Sequence, residues 1–325
     1  MSTRCPICES RQITLIQNDV KAGSPYRGQA LEAFKVPRTP IKVFRCKDCV
    51  FDFLETWEDT EKVTQFYENN HYICRPNIDP GHRKYDEALV RIERVKPYLT
   101  SKTRLLDIGC GDGDFLKRAK PYVKKAHGME ITKKHVEDLR QDGISVWECL
   151  INDFFPDKPY DMIVMHALLE HVPRVSDFLE EVKRISHDRT LLFIELPNVR
   201  DPLAYYFGIE AYRKFFYREY HLYYFSEVSL KKLLAKHGFH SEIQPLLVAS
   251  LTNHFNWLHQ NRGQETTNDM VNVTFPAPLA EITMPNGESL PSLFNRLDDI
   301  YRHEMTRAGI GDLLVCRAWP AGLNP

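Results

Sequence analysis

The sequence predicts an α/β chain whose strands and helices alternate around a doubly wound, mostly parallel sheet, with a small cysteine-rich module in front of it. Three observations lead to this prediction. Apolar runs of strand length alternate with amphipathic runs of helix length from residue 101 onward. A glycine-rich turn, Gly109 to Gly113, joins the first of these strands to a helix. Two CxxC pairs, Cys5/Cys8 and Cys46/Cys49, lie near the N-terminus.

The composition is that of a globular chain. The 325 residues are 43% hydrophobic with a formal net charge of -1, which predicts one large domain or two to three modules. The neutral charge and the lack of a basic tract argue against a nucleic-acid partner. No run approaches the ~20 apolar residues of a membrane span, and the first residues do not resemble a signal peptide. We expect a cytoplasmic protein and leave its oligomeric state open.

The four N-terminal cysteines predict a metal site. Thiolates in two CxxC turns suit the tetrahedral coordination of zinc, and a reducing cytosol favours metal binding over disulfides. The alternatives are chance pairs or a redox dithiol, which would usually begin a helix in a βαβ unit. A site closed by Cys5, Cys8, Cys46 and Cys49 predicts a structural zinc ion. The ion would fold residues 1–55, a module too poor in core to fold alone.

The glycine-rich turn predicts a ligand site. The strand is expected over 104–108 and the helix over 114–125. The glycines allow a sharp turn and close approach to a ligand, and the helix N-terminus offers free N–H groups. A GxGxxG turn would bind a pyrophosphate. Here the spacing is GxGxG, and Asp107, Asp112 and Asp114 surround it. These carboxylates would repel a pyrophosphate and suit a cationic ligand.

The segment from Asp107 to Phe115 resembles motif I of the class I S-adenosylmethionine (SAM) methyltransferases, whose cofactor carries an amino group and a sulfonium. A second strand, over 125–130, ends in Glu130, placed to accept both ribose hydroxyls. A helix over 133–141 and a strand over 144–147 follow. They lead to Asn152 and Asp153, where family members hold the adenine amino group, and either residue could do so.

Further segments extend the resemblance over residues 101–250. A fourth strand, over 160–165, precedes a stretch similar to the family's LEH segment, and a strand over 190–198 resembles its post-strand PN segment. A helix over 227–237 follows the N-cap candidate Ser226. The resemblance implies a Rossmann-like, doubly wound, seven-stranded sheet. It also implies SAM as cofactor, bound by Asp107, Gly109, Gly111, Gly113, Glu130, Asn152, Asp153 and His166.

The methyl acceptor should lie beyond the carboxyl ends of the strands, as ligands do in open α/β sheets. The candidates after strands four and five are His166, Glu170, His171, Glu195 and Asn198. We expect His171 to pack within the fold. His166 directly follows the fourth strand and is the better pocket residue.

A second catalytic candidate lies in the aromatic segment 217–226. This segment is similar to the E-H-L-x-Y-x-S segment of zinc-containing sugar C-methyltransferases, which also carry a CxxC…CxxC module before the same core. His221 matches the family histidine that serves near the reacting centre. Tyr220 stands where the family has Glu, and Glu219 is one place away. A structural histidine and a catalytic base are equal alternatives for His221.

Residues 56–100 are expected to form a helical linker and lid. The segment 63–72 resembles the Y-x-x-x-Y lid of these families, which would bring Tyr67 or Tyr72 to the methyl group. Plain aromatic packing is the alternative. An amphipathic helix over 82–98 would then cover the sheet.

The C-terminal part predicts a strand over 239–248, an insertion over 251–309 and a reversed edge strand in 310–325 that closes the sheet. Loops longer than ~15 residues are usually functional or disordered. Phe255 and Trp257, together with Asn253, His254 and Asn256, suggest an acceptor lid or a carbohydrate-facing wall. A dimer contact or a surface excursion is the alternative. A helix is expected near 292–307.

These observations favour a SAM-dependent methyltransferase whose acceptor is small and polar: a sugar, nucleotide-sugar or glycan precursor. Transfer to carbon or to oxygen stays open, and the catalytic candidates are His221, His166 and Tyr72. Ribosomal guanine methyltransferases also join a CPxC zinc module to this core, so RNA methylation is one alternative. A non-catalytic SAM-fold partner subunit is another.

Overall fold

A seven-stranded sheet forms the centre of the molecule, and a four-stranded sheet adjoins it. The computed structural model describes residues 4–20, 41–55, 86–218, 220–263, 270–273, 275 and 277–321. Its strands are β1 (Ile13–Val20), β2 (Ile41–Cys46), β3 (Phe51–Leu54), β4 (Arg104–Ile108), β5 (Lys125–Met129), β6 (Ser145–Trp147), β7 (Tyr160–His166), β8 (Ser186–Pro197), β9 (Tyr223–Tyr224), β10 (Phe239–Leu246) and β11 (Leu313–Pro320). The α-helices in these ranges are α1 (Glu87–Val95), α2 (Asp114–Ala119), α3 (Lys133–Gln141), α4 (Val175–Arg184), α5 (Glu210–Phe216), α6 (Glu227–Lys236), α7 (Leu251–Gln260), α8 (Ala277–Ala280) and α9 (Leu290–Arg307).

The large sheet has the strand order β10-β11-β8-β7-β4-β5-β6. Five strands, from β8 to β6 in this order, pair in parallel, and β11 runs antiparallel to both β8 and β10. This confirms the predicted doubly wound, mostly parallel sheet. The prediction that the last strand closes the sheet at its edge is wrong. β11 is reversed but has a hydrogen-bonded neighbour on each side, so β10 takes the edge position.

Both faces of the large sheet are covered. Leu105 and Val164 point to the face packed by α1, α2 and α3, while Leu106 and Ile163 point to the face packed by α4 and α6. Because side chains alternate along a strand, strands buried on both faces read as continuous apolar runs. That is why the sequence pattern predicted these strands well.

Helix boundaries differ from the prediction mainly at α2. The helix expected over 114–125 ends at Ala119 and continues as a 3-10 turn, Lys120–Tyr122. Pro121 has no N–H to donate to the Lys117 carbonyl, so the α-helix stops there. α3 begins and ends where predicted, and Gly143 beyond it adopts φ +70°, the left-handed conformation that favours glycine.

The small sheet joins the N-terminal module to the domain built on the large sheet. Its order is β1-β2-β3-β9, and β9 comes from the segment 217–226. β3 pairs antiparallel with β9, opposing Asp52 to Tyr224 and Phe53 to Tyr223. In its described residues, the N-terminal module therefore shares its apolar packing with the larger domain.

The segment 251–309 is largely helical in its described residues. Its first helix, α7, was not predicted because its sequence is polar. Ser250 caps this helix by accepting from the Asn253 N–H at 3.1 Å. Asn253, His254 and Trp257 are buried, whereas Phe255 is 45% exposed. Trp257 thus belongs to the packing of the fold, edge-on to Tyr212 at 4.9 Å. None of the described helices is long and apolar enough to cross a bilayer.

Candidate functional site

The glycine-rich turn lies at the carboxyl end of β4, between β4 and α2. Gly109, Gly111 and Gly113 have φ values of +73°, +54° and +72°, a region in which residues with a side chain are strained. The turn is tied to β5, since the N–H groups of Gly109 and Cys110 both donate to the Met129 carbonyl, at 2.8 and 3.1 Å. The positive φ values explain why this turn needs glycine.

Space around the three glycines differs. A Cβ at Gly113 would lie 2.2 Å from Leu139 Cδ2, and one at Gly109 would lie 2.9 Å from Leu168 Cδ1. A Cβ at Gly111 would meet no atom of the described residues within 4 Å. Gly109 and Gly113 therefore serve close packing, while Gly111 faces open space beside the turn.

Asp107 is a buried carboxylate beneath this turn. It is 3% exposed, and no hydrogen bond joins its side chain to another described residue. Burial raises the pKa of Asp107 to about 8, with Arg91 opposing this rise and Glu130 and Asp112 adding to it. A buried carboxyl group with a raised pKa favours a cationic ligand, because a nearby positive charge stabilises the ionised form of the group.

Glu130 follows β5 and holds the turn from the other side. Its Oε1 accepts from the N–H groups of Ile131 and Thr132 at 2.9 and 2.8 Å, and its Oε2 accepts from Gly111 N–H at 2.9 Å. Two carboxylate oxygens offer about four lone-pair sites. Glu130 therefore retains one accepting position, on the oxygen that faces Gly111.

The remaining predicted ligand residues lie at the same sheet edge. Asn152 and Asp153 are exposed in a 3-10 turn, Ile151–Asp153, after β6. His166 ends β7, is 8% exposed, and its Nε2 has no hydrogen-bond partner in the described chain. Its ring meets Phe115 edge-on at 4.7 Å. Burial lowers the pKa of His166 well below its usual value, so the imidazole is neutral at pH 7.

A charged network from α1 also reaches this edge, and the sequence did not reveal it. Arg91 Nε donates to Glu195 Oε1 at 3.0 Å, and Arg94 donates to Glu195 Oε2. Glu195 is thus engaged in ion pairs and is not a free acceptor-site carboxylate. Asn198 is engaged as well, since its Nδ2 donates to the Gly311 carbonyl at 2.8 Å. No short motif could have indicated partners so distant in sequence.

Glu170, His171 and His221 form a cluster at the carboxyl end of β7. One ligand atom from each lies within 4.8 Å of the others. His171 Nδ1 lies 2.9 Å from the Tyr220 carbonyl oxygen, so His171 bonds within the fold, as expected from the sequence. Burial lowers the pKa of His171 to about 4 and raises that of Glu170 to about 8. Tyr72 and Glu219 lie outside the described residues.

The four N-terminal cysteines come together as predicted. Cys5 Sγ lies 3.6 Å from Cys49 Sγ, and Cys8 Sγ lies 3.6 Å from Cys46 Sγ and 3.5 Å from Cys49 Sγ. Four sulfurs around zinc at about 2.3 Å are roughly 3.8 Å apart. The cluster therefore has nearly the dimensions of a tetrahedral thiolate site and fits a zinc ion.

Polar contacts fix the cysteine module to the segment 217–226. Asp52 is fully buried and accepts from Arg45 Nε at 2.7 Å and from the Tyr217 hydroxyl at 2.6 Å. The Ser226 hydroxyl donates to the Cys49 carbonyl at 2.8 Å. One of the cysteine turns is therefore bonded directly to the N-cap of α6.

The chain resembles known proteins over its central part. Residues 81–242 match a family model described as a methyltransferase domain. Ribosomal protein L11 methyltransferase of Thermotoga neapolitana is 27% identical over 147 residues, covering 42% of this chain and 53% of that protein. The highly reducing polyketide synthase ctvA of Aspergillus terreus is 24% identical over 162 residues, covering 45% of this chain and 6% of the synthase. This chain thus spans about half the length of the first curated relative and a small part of the second.

One solved structure similar to this chain is a SAM-dependent methyltransferase of Thermotoga maritima described as a possible histamine N-methyltransferase. It is 20% identical, with a TM-score of 0.43, and the match covers 72% of this chain and 88% of that one. The strand order, the glycine-rich turn after the central strand and the family match agree with one another. The fold and the family match thus agree on a methyltransferase domain over residues 81–242.

Proposed function

We propose that the protein binds SAM at the carboxyl edge of β4 and β5 and transfers its methyl group to a small polar acceptor. The observation that carries the proposal is the pairing of the glycine-rich turn with two buried carboxylates, Asp107 and Glu130. SAM, when bound, supplies an electrophilic methyl group on a sulfonium. The chain's part is to hold that group, exclude water and present the acceptor in line with it.

Each candidate ligand has a role that its surroundings support. Asp107, buried and without a donor among the described residues, would pair with the SAM amino group. Glu130 has one accepting position left for a ribose hydroxyl. The open space beside Gly111 would let the cofactor contact the backbone of the turn. Asn152 or Asp153 would receive the adenine amino group from the exposed turn after β6.

His166 is the stronger candidate for a catalytic base. Its buried Nε2, which has no hydrogen-bond partner among the described residues, lies at the carboxyl end of β7, where it would accept a proton from the acceptor. His221 and Tyr72 remain candidates on the resemblance to sugar methyltransferases. In this proposal residues 1–55 are a structural zinc module, 56–100 a linker and lid, 101–250 the SAM-binding core and 251–309 an acceptor lid.

A sugar, nucleotide-sugar or glycan precursor is the acceptor we propose. The near-neutral charge supports a small molecule over RNA, and the segment 217–226 supports a sugar. The first curated relative is named for a ribosomal protein, so a protein acceptor enters the test as a further outcome.

The test is transfer of labelled methyl from SAM to a panel of nucleotide-sugars, with bulk RNA and ribosomal protein as parallel acceptors. SAM binding is measured first by calorimetry. Label in one nucleotide-sugar, lost in Asp107→Ala, is the expected result. Label only in RNA or protein would refute the sugar proposal, and absent SAM binding would refute the enzyme itself.

A further inference from the structure

Three ionisable side chains, Glu170, His171 and His221, lie close together outside the glycine-rich turn. Glu170 and His171 belong to a 3-10 turn, Leu169–His171, directly after β7, and His221 lies in the loop before β9. The two imidazole rings meet edge-on at 4.6 Å and 88°. The Leu222 N–H donates to the Glu170 carbonyl at 2.7 Å, which fixes the two segments to each other.

The Glu170 carboxyl group is buried and receives no hydrogen bond from the described residues. Glu170 is 1% exposed, and neither side-chain oxygen has a hydrogen-bond partner in the described chain. The nearest histidine nitrogen, His171 Nε2, is 3.7 Å from Oε1, which is too long for a hydrogen bond. Burying a carboxyl group without a partner is costly. The arrangement therefore calls for a cation or a proton at these oxygens.

Ring nitrogens of both histidines lie close to the Glu170 carboxyl group. The Tyr220 carbonyl can only accept a hydrogen bond, so His171 Nδ1 is the protonated nitrogen and Nε2 carries the lone pair. Metal-binding histidines are commonly oriented in this way, with one nitrogen donating to a backbone carbonyl and the other binding the ion. His221 Nδ1 is buried and has no partner among the described residues. One ring nitrogen of His221 lies within 4.8 Å of a Glu170 oxygen and a His171 nitrogen.

We propose that Glu170, His171 and His221 form a second metal site, which binds a divalent first-row transition ion such as Mn²⁺, Fe²⁺, Co²⁺ or Zn²⁺. Two imidazoles and one carboxylate are the donor set that these ions accept. Three protein ligands leave coordination positions open, as in catalytic sites and unlike the closed site of four cysteines. Metal–ligand bonds of about 2.1 Å place ligand atoms roughly 3 Å apart, so loading would draw the three side chains together.

The position of this site suggests what the open positions bind, and this step rests on the proposed function. The turn Leu169–His171 directly follows β7, which pairs in parallel with β8, so the site adjoins the carboxyl ends of these two strands, where the acceptor is expected. A hydroxyl or enolisable carbonyl oxygen of the acceptor would occupy an open position. A bound cation lowers the pKa of such an oxygen group. The acceptor class is therefore an oxygen chelator, such as a vicinal diol or a hydroxy-carbonyl compound.

The test is the metal content of the full-length protein after saturation with Co²⁺ and removal of unbound ion. We expect two equivalents per chain, one with thiolate charge-transfer bands from the cysteine site and one with only weak d–d bands. Glu170→Gln and His221→Gln should each lose the second equivalent and keep the thiolate bands, which report that the module is folded. The control is His254→Gln, a buried histidine bonded to the Tyr301 hydroxyl at 2.6 Å, which should keep both.

Two results would overturn the proposal: only the thiolate-bound equivalent in the wild-type protein, or a second equivalent that survives both variants. SAM titration of the same samples separates this outcome from a failure of the proposed function. If SAM binds and the second equivalent is absent, only the metal proposal fails. If the second equivalent is present and SAM does not bind, the site stands and the methyltransferase proposal fails.

Discussion

The proposed pairing of Asp107 with the SAM amino group predicts that SAM binding depends on pH. Its pKa is raised to about 8 by burial, and a cationic amino group requires the ionised form. The ionised fraction rises from about 3% at pH 6.5 to about 75% at pH 8.5. The apparent affinity for SAM should therefore increase roughly 20-fold over this interval, with a proton released on binding at the lower pH.

The matched variant is Asp107→Asn, which keeps the shape and removes the charge. At pH 8.5 it should bind SAM more weakly by about 1–3 kcal/mol. Titration of the SAM amino group itself affects both proteins, so the informative quantity is the ratio of the two Kd values. Calorimetry at several pH values should show this ratio growing roughly 20-fold from pH 6.5 to 8.5. A ratio that does not change with pH would refute the assignment of Asp107 to the amino group.

Three further predictions concern stability. Gly113→Ala places a Cβ 2.2 Å from Leu139 Cδ2, so urea denaturation should show that the free energy of unfolding falls by several kcal/mol. Gly111→Ala has open space around its Cβ, so it should lower the free energy of unfolding only by the ~1–2 kcal/mol of backbone strain. Equal losses in the two variants would contradict the packing argument. Tyr217→Phe removes a hydroxyl that donates to buried Asp52, so the free energy of unfolding should fall by about 1.5–3 kcal/mol. The control is Tyr122→Phe at an exposed position, which should lower it by less than ~0.5 kcal/mol. Burial raises the pKa of Asp201 to about 7, so its contribution to stability is full below the unfolded pKa and is lost as pH rises through 7. The free energy of unfolding of the wild-type protein should fall by about 2 kcal/mol between pH 5 and 7, relative to that of Asp201→Asn. If the free energies of unfolding of the two proteins change in parallel with pH, the prediction is wrong.

Local sequence patterns predicted the sheet and the turn because those features depend on neighbouring residues. The apolar run of β4 and the glycines after it are adjacent in the chain, and the CxxC spacing alone brings paired sulfurs to one ion. Helix α2 is shorter than its sequence pattern predicts because Pro121 ends the α-helix at Ala119. Helix α7 was missed because its polar residues, such as Asn253, are buried by tertiary packing, which propensity does not report.

Contacts between distant segments were not predictable from one sequence. Strand β9, which pairs with β3, has only two residues, too few to show the alternation of apolar and polar residues that predicts a strand. The ion pairs from Arg91 and Arg94 to Glu195 require knowledge of how α1 crosses the sheet. The orphaned oxygens of Glu170 can be recognised only when every possible donor around them is placed.

Backbone hydrogen bonds connect the cysteine module to the segment that carries His221. β9 is an edge strand whose strand neighbour is β3, and the N–H of Leu54 in β3 donates to the carbonyl of Leu222 at 3.0 Å, one residue after His221. Because metal binding supplies folding free energy to a small module, an ion at the cysteines would stabilise β3 and, through it, the loop that presents His221. Loss of the ion from the cysteines should therefore weaken Co²⁺ binding at Glu170, His171 and His221, and loading that cluster should by reciprocity raise the affinity of the cysteines for zinc by the same factor. Independent metal affinities at the two sites would show that β9 holds His221 without help from the module.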